Sequence, residues 1–300
     1  MKGKLLGAIA MAVLLGTGLY ACAERAQHEY VGNFEFTPEN YPRMGGSLAA
    51  LPLGEAVTAA VLGIDRDQTE GFILFEGSTT YNYVELIDGS FDILLAYEPS
   101  EMAVQYAKEQ GFEWEMAPIG RDALVFIVNR ANPVQRLTDA QIRGIYRGEI
   151  KNWSEVGGED AAIVPYQRNQ HSGSQTLFDK LVNLGDDLML PPYELIVGTM
   201  GGLLDIVAEY DNSANAIGYT VYYYLANMEK EKLENTKILA VDGVECSNRT
   251  IRSGKYPYVN DFYVVIRKDL PEDAPARILF NWICSAQGKE LIERENYVAI

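Results

Sequence analysis

The sequence is poor in the residue types that build metal centres and nucleophilic active sites. It has two histidines, His28 and His171, and three cysteines, Cys22, Cys246 and Cys284. No Cys or His pair stands at metal-ligand spacing, so neither a metal nor another cofactor is expected. No Gly-x-Ser-x-Gly elbow is present. His171 directly precedes Ser172, but a base and a nucleophile must meet in space with a third group orienting the base, which chain neighbours on a turn seldom do. An enzyme is not expected. Asp65, Asp67 and Glu70 read as solvated charge rather than a calcium loop. Positive charge is scarce too: 25 Lys and Arg against 42 Asp and Glu leave a net charge of −17. That balance argues against nucleic acid or an anionic membrane surface as the partner. It leaves a small anion open, because surface fields are screened over about 8 Å at physiological salt and a local pocket can oppose the global sign.

Long apolar runs are limited to the start of the chain. Lys2 and Lys4 precede an uncharged run from Leu5 to Gly18, which leads into Leu19-Tyr20-Ala21-Cys22. A charged start, a short apolar stretch and small residues at the cut describe a secretory signal over residues 1–21. The run is shorter than the roughly 20 residues a membrane-spanning helix needs. A cut before cysteine resembles the lipobox of bacterial lipoproteins, which implies lipidation of Cys22 and attachment to the outer face of the cytoplasmic membrane through the lipid alone. Loss of Lys2 and Lys4 takes the charge from −17 to −19. Residues 22–40 mix Pro, Gly, Asn and Glu without a period and read as a tether. Cys284 sits among apolar residues at helical spacing and reads as a buried free thiol. A Cys246–Cys284 disulfide stays open.

About 260 residues follow the tether, more than one compact core usually holds, so two lobes are expected. Short β-branched or aromatic runs alternate with helical patterns, the mark of βαβ units and an α/β fold. The clearest strands are 123–129, 163–166 and 262–266. Thr138 and Gln141 form a capping box for a helix that ends near Arg147-Gly148. A last helix starts near 274–276 and carries Ile278, Leu279, Trp282 and Ile283 on one face. Tyr219, Tyr222, Tyr223 and Tyr224 read as core packing.

Three turns rich in Gly, Ser and Thr each open a helix: Gly45-Gly46-Ser47-Leu48, Glu76-Gly77-Ser78-Thr79-Thr80, and Arg168-Asn169-Gln170-His171-Ser172-Gly173-Ser174-Gln175. A helix start leaves N–H groups without partners and carries partial positive charge, both suited to a tetrahedral anion. Arg168 adds a planar fork matched to two oxygens of one anion. Any one such turn is more often a plain helix cap.

The pieces from Ile119 to Asn129, then Leu137-Thr138, Ile145 to Ile150, Asn152-Trp153, Val156-Gly157-Gly158 and Arg168 to Thr176 resemble the phosphate-binding proteins of bacterial ABC phosphate importers. Gly46-Ser47, Ala216 to Tyr219, and Trp282-Ile283 with Ser285 to Gly288 are similar to that family as well. The resemblance implies a two-lobed α/β periplasmic-binding-protein (type 2) fold, with hinge strands and a ligand cleft between the lobes. The two apolar strands 123–129 and 262–266 place lobe 1 at 41–117 and 259–300, and lobe 2 at 118–258. By resemblance, Ser47 and Leu48 match the donors of the first loop, and one of Ser78 and Thr79 matches the second-loop hydroxyl. Arg168, Ser172, Gly173 and Ser174 match the anion clamp. The family has Ser followed by Asp or Arg where this chain has Tyr97-Glu98, and that carboxylate accepts the ligand's proton and repels sulfate. Glu98 is the candidate for this role, with an exposed strand-end charge as the alternative. The resemblance further implies an ABC permease as partner of a monomeric, exported receptor for phosphate or a similar oxyanion. Another oxyanion, a phosphorylated small molecule, or a sensor or adhesin reusing the fold are the competing readings.

Overall fold

The computed structural model describes residues 31–32, 34–75, 77–183, 193–208 and 213–300. The expected signal peptide, Cys22, most of the tether, His28 and Glu76 lie outside the described residues.

Among the described residues nine strands make one mixed sheet. Its path runs Ile73–Leu74, Met44–Gly46, Ile93–Ala96, Val259–Arg267, Trp114–Asn129, Ala216–Val221, Val164–Pro165. Met44–Gly46 is parallel to both Ile73–Leu74 and Ile93–Ala96. The alternation of strands and helices in the sequence therefore produces parallel pairing where helices supply the crossovers.

Trp114–Asn129 is the spine. Its 16 residues first pair antiparallel with Val259–Arg267, from Trp114 to Ala123, and then with Ala216–Val221, from Leu124 to Val128. Ala123 to Val128 are fully buried, which explains the unbroken apolar run; alternation appears only where one face meets water. The register slips between Phe262 and Tyr263, opposite the stretch that carries Pro118 and Gly120. Bulges bend and twist a strand pair locally.

The helices follow their caps. Thr138 and Gln141 satisfy each other's backbone at the start of Asp139–Tyr146. Leu51–Leu62 is buried along most of its length and stops at Gly63, whose φ of 64° is the left-handed cap glycine adopts freely. Pro275–Ile283 buries Leu279, Trp282 and Ile283. A further helix, Ala286–Arg294, is capped by Ser285 and closes the chain against the sheet. A smaller core of Tyr83, Leu86, Phe91, Leu94 and Phe112 lies apart from the main one, under the Thr79–Asp88 and Glu101–Glu109 helices. Cys246 and Cys284 are both free thiols, and Cys284 is exposed at the helix end instead of buried. The apolar periodicity located the helix correctly, but Cys284 falls past its last turn, off the packed face. Among the described residues no helix is long and apolar enough to cross a membrane.

Candidate functional site

Among the described residues several cavities compete by size, and two of them include residues of the Ser/Thr-rich turns. The larger, about 940 Å³, is lined by Leu51, Phe72, Ile73 and Phe75, and its Arg66 is already paired with Glu55 and Glu295. The other, about 550 Å³, collects residues from all three Ser/Thr-rich turns. Convergent polar groups, not volume, mark a binding site, and the smaller cleft is the candidate.

The first wall begins where Met44–Gly46 ends. Ser47 is buried, and its Oγ accepts from the Tyr97 N–H at 3.1 Å and shares a hydrogen with Thr79 Oγ1 at 2.9 Å. Leu48 starts the short 3₁₀ turn that feeds Leu51–Leu62. Ser78 caps Thr79–Asp88, accepting from the Tyr81 N–H. Of the two hydroxyls expected at this turn, Ser78 is engaged by its own helix and Thr79 faces Ser47.

The opposite wall is the Arg168 to Ser174 loop. Ser172 caps Gly173–Phe178, accepting from the Gln175 N–H at 3.1 Å, and lies 3.3 Å from Ser174 Oγ. The walls touch at Gly173: a side chain there would stand 2.5 Å from Thr79 Oγ1, closer than real contacts allow. The Thr80 N–H donates to the His171 carbonyl at 3.3 Å, and the Tyr81 and His171 rings lie 5.0 Å apart.

Arg168 lies at the centre, only 7% exposed. Its Nε and Nη2 donate to the carbonyls of Val197 and Gly198 at 3.1 and 3.2 Å, and Nη1 donates to Ser174 Oγ at 3.2 Å. The Tyr219 hydroxyl takes the Arg168 N–H and donates to Gln175. Burial pushes the guanidinium down to about 10, with Tyr219 and Tyr224 acting in the opposite sense. It stays charged at neutral pH, and among the described residues no carboxylate pairs with it or lines the cleft. A buried cation without a counter-charge is costly, and an anion in the cleft would offset that cost.

Eight of the expected positions thus meet in one cleft: Ser47, Leu48, Ser78, Thr79, Arg168, Ser172, Gly173 and Ser174. Glu98 is not brought there. Its carboxylate accepts from Lys180 and, at 3.0 Å, from the Tyr263 hydroxyl. A long side chain with a cation within reach swings to it, and the acceptor role expected of Glu98 lacks its geometry. Tyr97 lines the cleft instead. Its hydroxyl donates to Asp122 Oδ2 at 2.7 Å, a residue that sequence reasoning passed over. The signal was present: a carboxylate directly before the apolar run 123–129. Ser172 and His171 do not form a catalytic pair, since the Ser172 hydroxyl caps its helix and the His171 ring rests on Tyr81. Among the described residues no group of His, Cys, Asp or Glu could hold a metal ion.

Residues 85–286 match the family model described as PBP superfamily domain. The phosphate-binding protein PstS of Borreliella burgdorferi is 25% identical over 201 residues, covering 65% of this chain and 67% of that protein. The phosphate-binding protein PstS of Bacillus subtilis is 29% identical over 168 residues, covering 53% of this chain and 52% of the relative. The chain thus aligns with about two thirds of one curated relative and about half of the other. Among solved structures, an ABC-type phosphate transport receptor from Vibrio cholerae superposes with a TM-score of 0.63 at 22% identity, over 86% of this chain and 99% of the other.

Proposed function

This chain belongs to the PBP superfamily, and on that footing we propose that it captures phosphate or a closely similar oxyanion outside the cytoplasm and delivers it to an ABC permease. The observation that carries the reading is Arg168: buried, charged, and without a carboxylate partner among the described residues. The names of the relatives, phosphate-binding protein and phosphate transport receptor, support the same ligand.

In this reading Arg168 grips two oxygens of the anion. Ser47, Thr79, Ser172 and Ser174 supply hydroxyls, and Leu48, Ser78 and Gly173 bring backbone close. Residues 41–117 with 259–300 and residues 118–258 act as two lobes, hinged where Trp114–Asn129 and Val259–Arg267 run side by side. The protein binds without catalysing a reaction, works as a monomer, and is held at the membrane by a lipid on Cys22. Substituting Cys22→Ser should release it, and an unmodified Cys22 in the mass spectrum of the native protein would refute the anchor.

One observation favours a second reading, a receptor of the same fold for another oxyanion or a phosphorylated small molecule: Glu98 is tied to Lys180 and Tyr263, away from the cleft. Calorimetric titration with phosphate, arsenate and sulfate decides. Binding of the first two with refusal of sulfate supports the phosphate reading; no heat with any of them sinks it.

A further inference from the structure

Glu98 is held from two sides. The Tyr263 hydroxyl, on the Val259–Arg267 strand, donates to its carboxylate at 3.0 Å, and Lys180 donates to both carboxylate oxygens. Burial, and Glu98 itself, push the Tyr263 phenol up, so it stays a donor at neutral pH. Tyr263 and Glu98 belong to one proposed lobe, 41–117 with 259–300, and Lys180 to the other, 118–258. The phenol thus fixes Glu98 on its own lobe, and the lysine reaches it from across.

Lys180 lies at the far end of the segment that opens with the anion clamp. Ser172 caps Gly173–Phe178, which runs on into a π turn, Asp179–Asn183, that carries Lys180. Such turns are rare and concentrate at functional positions. The start of the segment meets the other lobe where Gly173 closes on Thr79 and the His171 carbonyl accepts from the Thr80 N–H. Its end meets the same lobe at Glu98. One segment is therefore fastened across the cleft twice, by close packing at its start and by charge at its end.

Two other ion pairs among the described residues join the proposed lobes, and both sit on shared supports. Arg121 and Asp261 face each other in register on paired strands, so opening does not part them. Arg252 and Glu293 stand on Asn248–Arg252 and Ala286–Arg294, two helices that both pack on Trp114–Asn129 and on the Val298–Ala299 strand. No strand pairing links the segments of Glu98 and Lys180. Their contact lasts only as long as the walls stay together.

We infer that Glu98 and Lys180 form a charge latch across the cleft, through which Glu98 raises anion affinity by favouring closure and not by touching the ligand. The inference rests on the anion-binding, two-lobed reading above and deepens it. Both are positioning residues: they act on the ligand through the Ser172 to Ser174 wall. Each opening must break the pair, so its loss speeds release more than it slows capture. Lys180 is half-exposed, which keeps the gain to a factor of a few. Tyr263 limits the entropy lost on pairing by holding Glu98 in place beforehand.

The test is a charge-reversal cycle: calorimetric titration with inorganic phosphate of the wild type, Glu98→Lys, Lys180→Glu and the double variant, with melting curves in the absence of ligand. In the double variant the charges are exchanged and the pair forms again. Each single reversal should weaken binding, and the double should return to within about twofold of the wild type. The product of the two single losses should exceed the loss in the double by about threefold or more. Losses that simply multiply would mean that each charge acts on the anion separately, and would overturn the latch. So would coupling that shows in the melting temperatures alone, since a pair made alike in empty and loaded protein leaves affinity untouched. Should a reversed variant fail to fold, Glu98→Gln, Lys180→Gln and their double run the same cycle. The double should then bind no more weakly than the weaker single, and a further loss overturns the inference. A wild type that binds no phosphate overturns the functional reading and this inference with it.

Discussion

Arg168 and Arg277 are buried to nearly the same degree, 7% and 6% exposed, yet their surroundings differ in kind. Arg277, on Pro275–Ile283, donates to Glu115 at 2.7 Å and to the Lys268 carbonyl at 3.1 Å, and lies over the Phe280 ring. Its charge is answered within the protein. Arg168 has neutral carbonyls and a serine hydroxyl, and no carboxylate among the described residues. Burial alone therefore does not mark a functional arginine. A missing counter-charge does, since a buried cation left unpaired is costly and an anion from outside the chain offsets that cost.

The comparison breaks most sharply at Arg168 itself. Arg168→Ala should cost roughly 2–5 kcal/mol of phosphate binding, and Arg168→Lys should restore only part, because a point charge cannot replace the planar fork. Titration calorimetry of the two variants reads this directly. Next comes the meeting of the walls: Gly173→Ala places a Cβ against Thr79 Oγ1. Overpacking of that kind costs about 1–3 kcal/mol, here taken from closure, so phosphate should bind at least several-fold more weakly with little change in melting temperature. Arg277→Ala should act on stability instead. Its guanidinium lies over the Phe280 ring, while Glu115 is part-exposed and can return to water. Roughly 1–3 kcal/mol should be lost in a denaturant titration, with phosphate affinity unchanged. The smallest effect belongs to Glu98→Gln. The Glu98–Lys180 pair is half-exposed on the lysine side, and such pairs contribute about 0.2–1 kcal/mol. Phosphate affinity should fall by less than about fivefold and the preference over sulfate should stay. A collapse of that preference in Glu98→Gln would return the acceptor role to Glu98.

Much of the cleft was legible in the sequence because its parts are local. Ser78, Thr138 and Ser172 cap helices within four residues of themselves, and a cap is written in its own segment. Arg168 stood six residues before Ser174, so a single loop carried both. Strand 123–129 was plain from its apolar run, but its true start at Trp114 was not, since residues before Ala123 alternate and include Pro118 and Gly120. What could not be read was pairing at long range. Tyr97 reaches Asp122 25 residues away, Lys180 reaches Glu98 across 82, and Tyr219 braces Arg168 from 51 residues downstream. Periodicity gave Tyr219 correctly as packed, stacked on Phe178 at 4.5 Å, and was silent on its hydroxyl. Glu98 shows the same limit: its place beside Tyr97 suggested the cleft, and a lysine from another segment took it away.

The most direct test sets the two arginines side by side in one thermal-melting experiment, with and without saturating phosphate. Phosphate bound only to the folded state raises the melting temperature of the wild type. The account predicts that Arg168→Ala melts within about 3 °C of the wild type without ligand, because relief of a buried unpaired charge offsets the lost hydrogen bonds, and gains nothing from phosphate. Arg277→Ala should melt lower and keep the full phosphate-induced rise. An undiminished rise in Arg168→Ala would contradict the claim that this arginine holds the anion.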